Sequence, residues 1–230
     1  MKKTIIAAAL VAAFAPTLAL AEAGDWVVRV RAVDVSPNED SKLGSTVNAN
    51  VANVMTPSAE LQVDTNVIPE LDISYYITKN IAAELILAFG TRHDVSIKGD
   101  ALPTIGNQPL GSVNVLPPTL TAQWHFMPDQ TIDPYVGAGL NYTHTFDRSL
   151  KLSSGALAGT DIRVDKNMFG FVAQAGVDIN LKDGWLINAD VKYVTMNTDV
   201  ELNTAPGVWK KIDNLDINPW VFGIGIGKKF

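Results

Sequence analysis

The chain contains no cysteine, so neither a disulfide nor thiolate chemistry is open to it. It has only three histidines, His93, His125 and His144, and they fall in different segments, so their spacing offers no metal site. It has no basic excess: 18 Lys and Arg stand against 24 Asp and Glu, and the formal charge of −6 argues against nucleic acid as a partner. No phosphate-cradling glycine motif opens a helix, since Gly223, Gly225 and Gly227 lie inside an alternating strand. His93, Asp94 and Ser96 are neighbours, but no nucleophile motif accompanies them. The expectation is therefore a protein that is not an enzyme and has no cofactor. Past residue 21 there is also no window of about 20 apolar residues, which excludes a transmembrane helix.

The first 21 residues read as a signal peptide. Lys2 and Lys3 form a positive start, Ile5 to Ala15 an apolar run, and Ala19-Leu20-Ala21 a small-x-small cleavage site. Its removal takes two lysines and makes the remaining domain, 22–230, still more acidic. Mean hydropathy is nevertheless +0.13. The apolar residues lie in alternating rows.

Those rows define eight strands, at about 25–36, 66–78, 81–92, 114–126, 134–146, 168–181, 185–195 and 216–230. Each is near the roughly ten residues that cross a bilayer at a tilt. The second is the clearest: Leu71, Ile73, Tyr75 and Ile77 alternate with Glu70, Asp72, Ser74, Tyr76 and Thr78. The last sets Trp220, Phe222, Ile224 and Ile226 against Gly223, Gly225 and Gly227, with Phe230 ending the chain. A bulky lipid face and a bare face toward a crowded lumen account for that pattern. Connections alternate strictly between short and long, the long ones covering about 37–65, 93–113, 147–167 and 196–215. The expected fold is all-β: an eight-stranded antiparallel transmembrane β-barrel with short periplasmic turns and four long extracellular loops. Such a chain belongs in the outer membrane of a Gram-negative cell. The long loops are polar, except that Val47, Val51, Val54, Met55 and Leu61 recur in the first, which suits a helical turn or a fold over the mouth.

Aromatic girdles are expected from Trp26, Phe126, Tyr135, Trp185 and Phe230 at one end, and from Phe89, Tyr142, Phe146, Phe169 and Trp220 at the other. Alternation turns Arg29, Arg31, Glu70, Asp72, Glu84, Gln174, Asp178, Asp190 and Lys192 into the lumen. Two readings stay open. The charges pair and plug the barrel, or they line a narrow conduit whose upper part is apolar through Ile86, Ala88, Val115, Val172 and Val194. Pro117-Pro118 lacks two backbone donors and is expected to leave a gap in the ladder.

Several segments resemble the OmpW family of small outer-membrane barrels: Ala23-Gly24-Asp25-Trp26 with Arg29, Leu116-Pro117-Pro118 through Trp124, Pro134 through Tyr142, Asp183 through Asp190, and Asn218 through Phe222. The order of these blocks carries the match; the long loops match poorly. The resemblance implies a narrow apolar channel for passive uptake of small hydrophobic molecules, some relatives serving alkane uptake and one resembling a bacteriocin receptor. It makes Ile86 and Lys192 the counterparts of a constricting leucine and tryptophan; the lysine is a departure that implies either an electrostatic gate, through pairing with Glu84 or Asp190, or an apolar channel that ends above it. It implies a side exit between strands, and the weakened ladder at Pro117 and Pro118 is where that exit is expected. It also makes Phe230 the signal for the outer-membrane assembly machinery. Implied partners are outer-membrane lipids, lipopolysaccharide and small hydrophobic solutes, with no oligomeric state required. The alternative is a plugged barrel acting as a surface receptor, adhesin or envelope stabiliser through its loops.

Overall fold

A computed structural model describes residues 22–230. The signal expected over 1–21 lies outside the described residues. In chain order the elements are β1 (Trp26–Ser36), α1 (Leu43–Asn50), β2 (Glu60–Val63), β3 (Asn66–Tyr76), β4 (Ile81–Ala88) and β5 (Thr91–Lys98). Then come β6 (Gln108–Leu116), β7 (Thr119–His125), β8 (Ile132–Asp147), β9 (Ser149–Lys151), β10 (Asp161–Val164) and β11 (Asn167–Asn180). The chain finishes with β12 (Trp185–Val194), β13 (Asn197–Ala205), β14 (Val208–Asp216) and β15 (Trp220–Lys229).

Eight of these strands close into an antiparallel barrel. The ring runs β1, β3, β4, β7, β8, β11, β12, β15 and back to β1, with the long β8–β11 pairing completing the circle. Phe230 seals the seam: its N–H donates to the Trp26 carbonyl at 2.8 Å, and Trp26 N–H donates back at 3.1 Å. Closure leaves no exposed strand edge in the ring.

Side-chain parity sorts the wall. Phe169, Phe171 and Ile224 are 76%, 71% and 64% exposed on its outside, beside Val30, Leu120 and Leu140. An apolar band this continuous is foreign to a water-soluble surface and suits hydrocarbon. Rings edge the band at both ends. Trp26 packs on Tyr75 at 4.8 Å, while Tyr142–Phe169 and Tyr193–Trp220 each meet at 4.9 Å at the opposite end. Tyr135 is a correction: it is buried in the lumen, stacked on His125 at 4.9 Å, and is no part of the girdle. Its parity with Gly137 and Gly139 decides its direction.

The glycine row of β15 is explained by its register. Arg29 sits opposite Gly227 and Arg31 opposite Gly225. A Cβ on Gly225 would fall 2.7 Å from Arg31 Cγ, and one on Gly227 would fall 2.8 Å from Arg29 Cγ. The glycines are the space through which two arginine stems enter the lumen.

The long connections differ most from expectation. They are largely strand, not loop. The expected third strand breaks at Phe89-Gly90, where Gly90 takes a φ of 69° that glycine tolerates best, and resumes as β5. The fourth breaks at Pro117-Pro118 between β6 and β7. β2, β5 and β6 extend one side of the barrel wall, and β14-β13-β10-β9 form a separate four-stranded sheet. The last barrel strand starts at Trp220, because the residues before it, through Asp216, belong to β14. These strands and α1 enclose a second core, including Leu43, Val47, Met55, Leu61, Ile97, Leu150, Val200 and Leu202. Alternation such as Val95/Ile97 and Val200/Leu202 gives the rim its buried face, which the polar content of these segments had hidden. The helical turn expected in the first connection is α1.

Candidate functional site

Charge fills the half of the barrel nearer the short turns. All nine polar residues assigned to the lumen by alternation are buried there. Neighbouring strands hold each at a fixed height, so ladder register determines which ones meet. Arg29 reaches Asp72 Oδ1 at 3.1 Å and Asp178 Oδ2 at 2.6 Å. Arg31 lies within ion-pair distance of four carboxylates: Glu70 at 2.7 Å, Asp72 at 2.5 Å, Asp190 at 3.1 Å and Glu84 at 3.4 Å. Lys192 tops the network, 2.8 Å from Asp190 and 3.2 Å from Glu70.

Neutral groups satisfy most of the remaining sites, although Asp190 Oδ1 has no hydrogen-bond partner. Ser74 accepts from Arg29 Nη1 at 2.8 Å, Thr121 donates to Glu84 at 2.7 Å, and Gln174 Nε2 donates to Asp190 at 3.0 Å. Asn188 Nδ2 donates to Asp178 at 2.8 Å and to the Tyr135 hydroxyl at 3.0 Å. Buried ions are tolerable only with such partners. The arrangement forms a crossed floor, with no file of charges along an open pore.

Below it lies a grouping the sequence reading missed. His125 Nδ1 is 2.7 Å from Asp133 Oδ2, and Asp178 lies close enough that all three could offer ligand atoms within 4.8 Å of one another. Both carboxylates are already engaged, Asp178 by Arg29 and Asp133 by His125 and the Met127 N–H. Asp133 lies one residue before the expected fifth strand. Extending the parity of Tyr135 and Gly137 backward would have turned Asp133 inward, though not shown that it meets His125.

Above the floor the lumen changes character. A cavity of about 1190 Å³ of atom-free space, part of it open to solvent, is walled by aliphatics from both barrel and rim. They include Val33, Ile68, Ile86, Ala88, Val194 and Val221 from the barrel half and Leu61, Val95, Val115, Leu150 and Val200 from the rim. Ile86 and Lys192, the two gate residues implied by resemblance, both border this cavity, as does Glu70. Its base is therefore where apolar lining gives way to ion pairs. Val172 is buried but lies outside the lining.

The wall beside the cavity has a seam. β4 pairs with β7 up to Ile86↔Thr119, and β5 pairs with β6 from Thr91↔Val115. Between them Leu87 to Gly90 face Leu116 to Pro118 without a ladder register. Both prolines lack the N–H a ladder needs. Pro117, Ala88 and Thr119 all line the cavity, so the seam and the vestibule are continuous.

The rim has its own polar anchor. Burial pushes the Asp100 carboxyl up, but N–H groups of Thr56, Leu102 and Gly106 outweigh it and hold the group below the usual carboxylate range. Asp100 thereby ties Thr56 to the connection between β5 and β6.

Comparison with known proteins agrees with this architecture. A family model described as "OmpW family" matches residues 22–230. Outer membrane protein W of Vibrio cholerae serotype O1 is 37% identical over 234 aligned residues, covering 100% of both chains. The crystal structure of OprG from Pseudomonas aeruginosa matches with a TM-score of 0.75 at 27% identity, covering 93% of this chain and 99% of that one. The structure of AlkL in DMPC bilayers matches at 0.65 and 25% identity, over 94% and 95% of the two chains.

Proposed function

The chain belongs to the OmpW family of outer-membrane β-barrels, and on that premise we propose that it is a passive conduit for small hydrophobic molecules. The short turns then face the periplasm, and the rim with its vestibule faces outward. A solute enters the vestibule from outside, where each methylene removed from water is stabilised by about 0.8 kcal/mol. It meets the crossed ion pairs at the level of Lys192 and Glu70 and goes no further along the axis. It leaves sideways through the seam at Pro117 and Pro118, into the membrane. The observation that carries this reading is the apolar cavity directly above a floor of paired charges, continuous with an unladdered stretch of wall. Phe230, paired to Trp26 at the closing seam, is proposed as the residue that the assembly machinery reads.

Uptake of labelled naphthalene by cells with and without the protein tests the proposal. Faster uptake with the protein is expected, and equal rates would remove the conduit. A second reading draws on the floor itself. A barrel shut by Arg29, Arg31 and Lys192 and crowned by a folded rim also suits a surface receptor. That role predicts no uptake difference and the loss of a binding phenotype when the rim is trimmed.

A further inference from the structure

The vestibule is not uniformly apolar. Thr145, on the inner face of β8, is 2% exposed and lines the cavity, and its Oγ1 has no hydrogen-bond partner. Its neighbours are engaged. The Thr91 hydroxyl donates to the Val115 carbonyl, Thr143 donates to Asn141 Oδ1 at 2.7 Å, and Asn141 Nδ2 donates to Thr119 at 2.8 Å. A buried hydroxyl left unpaired has given up its bond to water without a replacement. Thr145 is thus a polar point in an aliphatic wall, able both to donate and to accept.

Its position bears on the conduit reading, on which this inference rests. Thr145 pairs with Val115, which pairs in turn with Thr91 on its other side. Val115 precedes Pro117 by two residues, so Thr145 stands about 7 Å along the wall from the seam. A group held at Thr145 leaves its chain lying toward Ala88 and Pro117.

The charge of that group is also constrained. At the cavity base the Lys192 ammonium is taken up by Glu70 and Asp190. Arg29, Arg31 and Lys192 together face Glu70, Asp72, Glu84, Asp178 and Asp190, so the floor has no cation to spare for a ligand carboxylate.

We propose that Thr145 is a ligand-anchoring residue, and that the vestibule selects hydrophobic molecules bearing one neutral oxygen, such as medium-chain alcohols or aldehydes, over bare hydrocarbons and over carboxylates. The Thr145 hydroxyl donates to that oxygen or accepts from a ligand hydroxyl. The aliphatic wall holds the rest.

The test measures binding of labelled 1-decanol, decane and decanoate to proteoliposomes, after subtracting uptake by protein-free liposomes of the same lipid. Wild type, Thr145→Val and Thr145→Ser are compared, each shown to be folded by its heat-dependent gel mobility. Wild type is expected to hold decanol about fivefold more tightly than decane, the worth of one neutral hydrogen bond. Thr145→Val should abolish that preference and leave decane binding intact, while Thr145→Ser should retain it. An unchanged decanol-to-decane ratio in Thr145→Val, as when the hydroxyl merely binds water, would overturn the anchor and leave the conduit standing. Tightest binding by decanoate would overturn the choice of a neutral group. Binding of none of the three by wild type would overturn the conduit reading and the anchor with it.

Discussion

The two halves of one lumen are built by the same strands and by the same inward parity, yet they solve opposite problems. Near the short turns, side chains as large as Arg29, Arg31, Tyr76 and Tyr135 fill the barrel, and glycines on β15 make room for them. Near the long connections, the inward residues are Val33, Ile68, Ala88 and Val194, which leave space. The difference shows that an eight-stranded barrel need not be a pore or a plug along its whole length. Side-chain volume at the short-turn end closes it, and its reduction at the other end opens a chamber. The charge boundary between them runs through Ile86, Glu70 and Lys192.

The comparison can be broken most severely from below. Arg31→Ala should destabilise the barrel by about 3–5 kcal/mol, because Glu70, Asp72, Glu84 and Asp190 lose their shared cation. Urea unfolding followed by tryptophan fluorescence measures this, and a loss below about 1 kcal/mol would mean that the floor is not held by these pairs. Lys192→Met acts at the boundary and should cost less, about 1.5–3 kcal/mol, since Arg31 still serves both Glu70 and Asp190. It also lengthens the apolar chamber downward. If solutes leave through the wall, naphthalene uptake by this variant should stay near the wild-type rate; a marked increase would indicate passage through the floor.

The smallest expected effect lies in the rim. Asp100 is held below its ordinary value by backbone donors, so its contribution is present above the unfolded-state value near 3.9 and is lost as pH falls through the lower folded-state value. Asp100→Asn should therefore loosen the rim at pH 7, measured by hydrogen exchange in α1 and β5, and should match wild type near pH 2. A difference that persisted in acid would assign the effect to shape rather than charge.

Much of this architecture was legible in the chain. Period-two alternation located the eight barrel strands and turned Arg29, Glu84 and Lys192 inward, because one slip of register would put them in lipid. The prolines at 117 and 118 announced the break. Alternation does not say which residues stand at the same height across the barrel. Four carboxylates converging on Arg31 could therefore not be read, nor could His125 meeting Asp133. Tyr135 was misplaced because residue type was allowed to outweigh parity. The rim strands were overlooked because their outer faces carry the polar residues typical of loops, and their buried faces are no more than four residues long.

The most direct test of the sideways path is the rate of naphthalene uptake by cells carrying Pro117→Ala/Pro118→Ala. The N–H restored at position 117 allows the ladder to close between Leu87–Gly90 and Leu116–Pro118, with the floor and every chamber-lining residue but Pro117 untouched. Uptake falling toward that of cells without the protein, with folding preserved, is the predicted result. Uptake at the full wild-type rate would contradict exit through the wall.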